Sequence, residues 1–398
     1  NRISVNLVVP MRRESVTTNA LIPLLLRRGY AQCPDFTSLN QRLSELYGAV
    51  LDADVGKIGD FQILSLSIRS LDDRFALEGE SIVRGCTELL CGILLDPKIT
   101  AGSFDAEDVA IECKTLREII ESEINDKRTY ALRRAEEVMY GDEACGLSKY
   151  GYVEDIDEIT PASAGEAYRR LLRTARIEII FVGPGDPTDA RDTFREAFEK
   201  IHRDPDLDTQ MTPIHAATAL KEKTDCLEVT QAKLVLAFRP KSQDHIPTED
   251  AGRLMAAIYG GTPISRLFMH VREEKSLCYY CAARYDRIKG VMMVDSGVEF
   301  DKVEEAKAAI LEQFDVMQKG TFTDDEFHHS KLAVQNSLRT VPDSAAALEL
   351  YYLAHILEGS DRTPDEEAVD IDRITREDVK NAANDFVLDT VYLLKGAE

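Results

Sequence analysis

The sequence lacks the features that mark several common classes of protein. No tract is rich in proline, glycine and serine, no long block carries charge of one sign, and no apolar run approaches the length that spans a bilayer. The first ten residues alternate like a short strand instead of placing a basic region before an apolar one. We therefore expect a globular, cytoplasmic protein with no membrane span and no export signal.

Positively charged residues are outnumbered by negatively charged ones. The chain has 48 Lys and Arg against 71 Asp and Glu, a formal net charge of −23 at pH 7. This charge repels phosphate backbones and anionic lipids, so we expect neither nucleic acid nor a membrane as a partner. The surplus of carboxylates would suit basic peptides, but an ordinary solvated surface accounts for it equally well.

Cysteines are few and irregularly placed. Eight cysteines in a chain of this length fit reduced thiols better than a disulfide framework. Cys278 and Cys281 form a C-x-x-C, but they lie in an apparent strand, where a spacing of three directs two side chains to opposite faces. We therefore expect no redox or metal role for this pair.

The clearest organising feature is an internal duplication. The segment 155–160, DIDEIT, recurs as DIDRIT at 370–375, and each copy precedes a helical stretch and then a β-rich run. Upstream, the strand-like segment 3–10 resembles 233–240. The 398 residues suit two domains, and the repeat indicates that the two are homologous.

Periodicity indicates the class of each repeat. Residues 61–69 alternate as a half-buried strand, and 290–300 are their counterpart. A helix follows in the second copy and should end at Gly320; its apolar residues at helical spacing are Val303, Ala306, Ile310, Phe314 and Met317.

The sequence thus predicts an α+β fold of two tandem homologous lobes, each a mainly antiparallel sheet packed against helices. The first lobe covers 1–205 and the second covers 229–398. Residues 206–228 carry scattered charge without strong periodicity, and we interpret them as the linker.

This architecture resembles the insulinase–pitrilysin–processing-peptidase (M16) superfamily of zinc peptidases. Its active members carry H-x-x-E-H on the first helix, and their next helix ends in a motif like L-G-A, which survives here as LYGA at 46–49. Counting back from Gly29 as the family's glycine places Ala20 and Leu24 at the histidine positions and Pro23 at the glutamate. None of the three can bind zinc or take a proton from a metal-bound water.

The family's third zinc ligand is a glutamate on a later, long helix. By resemblance, Glu112 is the family's earlier glutamate and Ile119 stands at the ligand position, with Glu118 one place away. The first 201 residues contain no histidine, and His328 and His329 are adjacent and point to different helical faces. We therefore expect no metal and no other cofactor in this chain.

The second lobe carries the most specific match. Residues 261–285 resemble the family signature S-R-L-x-x-x-V-R-E-x-x-G-L-A-Y, with Ser276 for the glycine and Cys278 for the alanine. In the family, the arginine and the tyrosine of this signature bind the substrate backbone and stabilise the oxyanion. Arg272 and Tyr279 occupy those places, and the resemblance gives them those roles. A solvated helix end and a core-packing tyrosine are the alternatives.

The resemblance implies a non-catalytic subunit. We expect a heterodimer with an H-x-x-E-H-bearing subunit, in which the two chains enclose a peptide substrate and Arg272 and Tyr279 assist at the partner's zinc. A homodimer is an alternative to this heterodimer. The main alternative is an inert peptide-binding or scaffold protein of the same fold, and a third is an independent metal or thiol enzyme that uses the C-x-x-C.

Overall fold

The computed structural model describes residues 1–205, 211–212, 214–243 and 246–396. Short 3₁₀ turns lie at Asp73–Phe75, Glu123–Asn125 and Ala144–Gly146. The helices and strands up to residue 198 are, in chain order, β1 (Arg2–Pro10), α1 (Val16–Leu26), α2 (Phe36–Glu45), β2 (Val50–Ile58), β3 (Phe61–Arg69), α3 (Ile82–Leu95), β4 (Ile99–Thr100), β5 (Ser103–Phe104), α4 (Ala106–Ser122), α5 (Lys127–Tyr140), α6 (Val153–Ile156), α7 (Pro161–Thr174), β6 (Arg176–Val182) and α8 (Thr188–Phe198).

The second half repeats the pattern and adds two π-helical segments, Ala257–Gly261 and Leu267–Glu274. Further 3₁₀ turns lie at Phe300–Lys302 and Val341–Asp343. Its helices and strands are β7 (Lys221–Leu227), β8 (Ala232–Pro240), α9 (Glu249–Ala256), β9 (Cys278–Asp286), β10 (Val291–Val298), α10 (Val303–Lys319), α11 (Asp324–Arg339), α12 (Ala345–Glu358), α13 (Pro364–Arg373), α14 (Arg376–Asp385) and β11 (Phe386–Gly396).

The two main sheets share one strand order. The first is antiparallel and runs β2-β3-β1-β6, while the second runs β9-β10-β8-β11 with β7 added in parallel beside β11. The repeat matched β1 with β8 and β3 with β10, and each pair holds equivalent places in its sheet. The predicted α+β fold with two repeated lobes is confirmed.

Local signals account for several helix ends. Thr160 and Thr375, the last residues of the two repeated hexapeptides, each form a capping box that starts the helix before the closing strand. The predicted helix of the second copy is α10, and Gly320 ends it in the left-handed conformation with φ of 70°. No helix in the described part of the chain is both long enough and apolar enough to cross a membrane.

The chain folds into two compact units whose segments are not contiguous. The first contains Asn1–Ser122, Leu147–Met211 and Asp343–Ser360, and the second contains Glu123–Gly146, Thr212–Pro342 and Asp361–Glu398. Each half of the sequence therefore contributes one helical segment, α5 or α12, to the unit formed mainly by the other half. The boundaries at 205 and 229 remain a prediction.

Both exchanged helices are anchored to the sheet of the unit that they join. In the second unit, Ala131 and Ala135 of α5 pack against Val235 and Tyr392. In the first unit, Glu349 of α12 is buried and forms an ion pair with Arg2 of β1.

The predicted linker, 206–228, contains a strand at its C-terminal end. Residues 221–227 form β7, and their side chains are half-buried or exposed. The sequence of this strand, KEKTDCL, has no apolar alternation that would indicate a strand. The strand buries no apolar face; instead, backbone hydrogen bonds to β11 hold it at the edge of the sheet, in parallel pairing. Residues 206–210 and 213 of the predicted linker lie outside the described residues.

Candidate functional site

Arg272 lies near the end of the π-helical segment 267–274, in the second unit. Its guanidinium carbon stands 4.6 Å from the ring centroid of Phe268, and its Nη1 lies 3.7 Å from Glu273 Oε1. The side chain is 39% exposed. The aromatic ring supports the cation from one side, while the fork of N–H donors stays open to a ligand.

A tight turn carries the chain from this segment into β9. Ser276 adopts φ of 51°, in the left-handed region that residues other than glycine rarely occupy. The next residue, Leu277, is buried against the same unit. The family signature has glycine at the Ser276 position, and the observed backbone gives the physical reason for that glycine.

Tyr279 is the extra residue of a β-bulge in β9. Cys278 lies opposite Val298 of β10, whereas Tyr280 lies opposite Gly297, so the register shifts at Tyr279. The Tyr279 side chain is 60% exposed, and its hydroxyl donates a 3.5 Å hydrogen bond to Glu299 Oε1. Because β9 is an edge strand, the bulge presents this phenol outward.

The neighbouring Tyr280 anchors the bulge from the other face. A Cβ at Gly297 would stand 2.5 Å from the Tyr280 ring, so the ring occupies space that only glycine leaves free. The Arg128 guanidinium lies 4.3 Å from the ring centroid and bonds the buried carboxylate of Asp295. This carboxylate, as hydrogen-bond acceptor, raises the pKa of Arg128.

Cys278 lies within range of both candidate residues. Tyr279 is the next residue in the chain, and the positive charge of Arg272 acts on the Cys278 thiol. The pKa of this thiol is lowered, chiefly by a hydrogen bond from Cys281 and further by the Ser296 hydroxyl and by Arg272, against the opposing effect of burial.

The expectation that Cys278 and Cys281 point to opposite faces is wrong. The bulge at Tyr279 inserts one residue, so Cys278 lies opposite Val298 and Cys281 opposite Ser296, and the second cysteine returns to the face of the first. The signal in the sequence was Gly297, since a glycine inside a strand indicates a bulge or a close approach. Nothing in the sequence pointed to Glu299 as the acceptor for Tyr279.

The positions of the family's zinc ligands lie in the first unit. Ala20, Pro23 and Leu24 are all buried within α1, which packs against α4. On α4, Ile119 packs against the hydrophobic core of the first unit, whereas Glu118 is 65% exposed and lies 3.8 Å from Lys114 Nζ. The alternative register that would make Glu118 a ligand therefore directs its carboxylate to solvent.

A guanidinium is the charged group that joins these two helices. Arg28, just beyond α1, bonds Asp108 at 2.6 Å and the buried Glu112 at 3.1 Å. Burial works to lower the pKa of Arg28, but the hydrogen bonds to Glu112 and Asp108 outweigh it and raise that pKa. The first of the two family glutamates is thus neutralised by an arginine.

Candidate metal ligands are dispersed elsewhere. In the ranges that the structure describes, no group of three or more His, Cys, Asp and Glu side chains is placed to hold a metal ion. His328 and His329 are both exposed on α11, and His329 Nδ1 lies 2.8 Å from the Asp325 carbonyl oxygen. His245 lies outside the described residues.

The known proteins that resemble this chain agree with one another in family. The family model described as "Peptidase M16 inactive domain" matches residues 158–334, a segment that includes Arg272 and Tyr279. Among curated proteins, the chain is similar to "Probable inactive metalloprotease YmfF" of Bacillus subtilis (strain 168), at 27% identity over 398 residues that cover 98% of this chain and 92% of that protein.

Solved structures share the fold over the whole chain. A conserved protein from Enterococcus faecalis V583 matches with a TM-score of 0.87 and 25% identity, covering 100% of this chain and 93% of that chain. The peptidase M16 inactive domain from Pseudomonas fluorescens matches with a TM-score of 0.73 and 18% identity over the same shares. The latter shows similarity of fold alone.

Proposed function

Since this chain is an M16 peptidase-like protein whose first 201 residues contain no histidine, we propose that it is the zinc-free subunit of a heterodimeric peptidase. Its partner carries H-x-x-E-H, and this chain supplies Arg272 and Tyr279 to the partner's active site. The substrate is a peptide or a short unfolded segment enclosed between the two chains, and the complex works in the cytoplasm.

The outward placement of Tyr279 is the observation that carries the proposal. A tyrosine retained for core packing would be buried, yet this side chain is 60% exposed and lies on the bulge of an edge strand. Arg272 is likewise open on one side while Phe268 supports the other. Both polar groups are therefore available to a ligand that approaches this edge.

The chemistry of the two side chains suits a peptide carbonyl. A guanidinium offers several fixed donors to backbone oxygens, and a phenol can donate to an oxygen on which negative charge develops. Glu299 holds the Tyr279 hydroxyl at 3.5 Å, a long hydrogen bond that a substrate oxygen can replace.

The first unit does not fit a zinc ion of its own. Ala20, Pro23 and Leu24 carry no ligand atom and are buried, and Ile119 packs against the core. Arg28 neutralises Glu112, the remaining family glutamate. The metal of the proposed peptidase therefore belongs to the partner subunit, and the chain alone should have no peptidase activity.

Co-expression with an H-x-x-E-H chain of similar length tests the proposal. In the complex, Arg272→Ala and Tyr279→Phe should each lower kcat/KM for a peptide on the order of 100-fold, the usual cost of removing one oxyanion donor. Arg284→Ala is the matched control, because Arg284 is an exposed arginine of the same strand and should leave kcat/KM unchanged. Unchanged rates in both site variants would refute the catalytic role.

The name of the Bacillus relative, an inactive metalloprotease, favours a second candidate. In that case the chain is an inert peptide-binding or assembly protein, and Arg272 and Tyr279 are structural or relict. Affinity purification from the native cell separates the two functions. A partner without H-x-x-E-H, or a homodimer that binds peptide without cutting it, supports the scaffold.

A further inference from the structure

The bulge in β9 brings the two cysteines of the C-x-x-C into a geometry that an ordinary strand forbids. Cys278 lies opposite Val298 and Cys281 lies opposite Ser296. Because residues two apart on β10 share a face, the two cysteines opposite them share that face as well. Two strand positions advance about 6.7 Å, within the roughly 4.4–6.8 Å between Cα atoms that a disulfide can span.

The two thiols are chemically unequal. Cys278 is partly exposed, and its pKa is lowered, chiefly by its interaction with Cys281 and further by Ser296 and the charge of Arg272, against the effect of burial. Cys281 is 5% exposed, and its hydrogen bond to Cys278, together with burial, raises its pKa. A reactive outer thiol beside a buried second thiol is the arrangement of an attacking and a resolving cysteine.

Three other cysteines lack the combination of exposure and a neighbouring thiol that Cys278 has. Cys86 and Cys91 lie in the core of the first unit, and burial raises their pKa values to about 11 and about 12. Cys226 is exposed, yet it lies on β7, at the opposite edge of the second sheet from β9. Exposure with a neighbouring thiol therefore distinguishes Cys278 from these three.

We propose that Cys278 and Cys281 form a reversible dithiol–disulfide site whose oxidant is a peroxide. The Cys278 sulfur attacks one peroxide oxygen, the O–O bond breaks, and the other oxygen leaves as hydroxide and takes a proton to become water. The Cys281 sulfur then attacks the Cys278 sulfenic acid, forming the S–S bond and releasing a second water. Two thiols and one hydrogen peroxide thus give one disulfide and two waters.

The disulfide would act on Tyr279, which lies between the two cysteines. A disulfide holds its two Cβ atoms roughly 3.5–4.5 Å apart, closer than parallel side chains two strand positions apart, about 6.7 Å, so closing it requires the backbone of 278–281 to shift. The shift displaces the bulge that presents Tyr279 and moves Cys278 relative to Arg272. If the proposed function holds, on which this consequence rests, oxidation should lower the activity of the complex and a thiol reductant should restore it.

Mass spectrometry of the whole chain tests the site without reference to activity. Trypsin releases residues 276–284 as one peptide, SLCYYCAAR, which contains both cysteines and no other. After hydrogen peroxide treatment and alkylation of free thiols, this peptide should be about 2 Da lighter than its fully reduced form. Dithiothreitol before alkylation should return both thiols.

Matched variants separate the two roles. Cys281→Ser should stop at a Cys278 sulfenic acid, about 16 Da heavier and trapped by dimedone, whereas Cys278→Ser should give neither product. Cys226→Ser should behave as the wild type. Free thiols in the 276–284 peptide at a peroxide dose that oxidises Cys226 would overturn the proposal.

Assays of the co-expressed complex then separate the two inferences. A disulfide with unchanged peptidase activity would overturn the regulatory consequence alone. A reduced complex without activity would overturn the proposed function, while the mass measurement on the chain stands independently.

Discussion

The backbone N–H of Leu277 donates a 3.1 Å hydrogen bond to the carbonyl oxygen of Val271. Both residues are buried, so this bond fixes the turn that joins the segment bearing Arg272 to the strand bearing Tyr279. The position of Arg272 relative to Tyr279 therefore depends on this turn. Within the turn, Ser276 has a positive φ.

Replacing Ser276 by glycine should stabilise the protein. A residue with a side chain in the left-handed region costs on the order of 1–3 kcal/mol, and glycine loses roughly 0.5–1 kcal/mol through its greater freedom in the unfolded chain. Ser276→Gly should therefore raise the free energy of unfolding by about 1 kcal/mol, within the roughly 0–2.5 kcal/mol that these two ranges leave, measured by urea denaturation. Lys275→Gly is the control, because Lys275 has φ of −88° and gains no relief. Equal effects of the two changes would contradict the strain.

Removing the buried carboxylate of Glu349 should destabilise the first unit strongly. Glu349 pairs with Arg2 and accepts a 3.5 Å hydrogen bond from Asn6 Nδ2. Glu349→Ala leaves Arg2 without this partner in a mostly buried place and should cost about 3 kcal/mol. Leu350→Ala, on the 59% exposed neighbour, should cost less than about 1 kcal/mol. Thermal or urea unfolding measures both, and similar costs would contradict the anchoring of α12 in this unit.

The free energy of unfolding should depend on pH through the ionisation of Asp155, which lies in the first repeated hexapeptide. Burial works to raise its pKa, but hydrogen bonds from Arg13 at 2.5 Å and from the Thr17 hydroxyl at 2.6 Å outweigh it and lower that pKa. A carboxylate with a depressed folded pKa contributes stability above its unfolded pKa and loses it as pH falls through the folded value.

Asp155→Asn should therefore cost about 1 kcal/mol at pH 7, a value kept small because Arg13 is 46% exposed. The difference from wild type should shrink as pH falls below the unfolded pKa of about 3.9 and disappear below the lowered folded pKa. Urea unfolding at a series of pH values measures it. Asp157→Asn, at an 80% exposed carboxylate, should change little throughout, and a difference for Asp155→Asn that persists in acid would exclude the electrostatic explanation.

The purified chain should bind no stoichiometric zinc. Alanine, proline and leucine stand at the positions of the family's paired histidines and glutamate, and all three are buried. Elemental analysis after dialysis against zinc should give far less than one ion per chain, equal to a sample treated with chelator. One chelator-removable zinc per chain would contradict the prediction.

Much of the fold could be predicted because it follows from local patterns. The runs at 3–10 and 233–240 became central strands, and α10 ends where Gly320 permits a left-handed cap. Gly297 indicates a bulge or a close approach, but the sequence does not show that Tyr279 is the extra residue, since that depends on where Tyr280 fits over Gly297. For the same reason the strand pattern alone misjudged the directions of Cys278 and Cys281.

The sequence also could not predict that α5 joins the second unit and α12 the first. Helical periodicity shows which face of a helix is buried, but it does not show which sheet that face meets. Small residues such as Ala131 and Ala135 fit against the second sheet only once β8 and β11 stand beside each other. In the site, the family spacing located Arg272 and Tyr279, whereas Glu299 reaches Tyr279 from 20 residues along the chain.

The interleaved segments set an order for synthesis on the ribosome. The first unit lacks α12 until residue 358 has been made, although its four-stranded sheet is complete by residue 182. Until then the Arg2 guanidinium and the Asn6 amide on β1 lack the Glu349 carboxylate that they bind in the folded unit. The nascent chain must therefore carry an incomplete first unit from residue 182 to residue 358, and the second unit is completed by β11 soon afterwards.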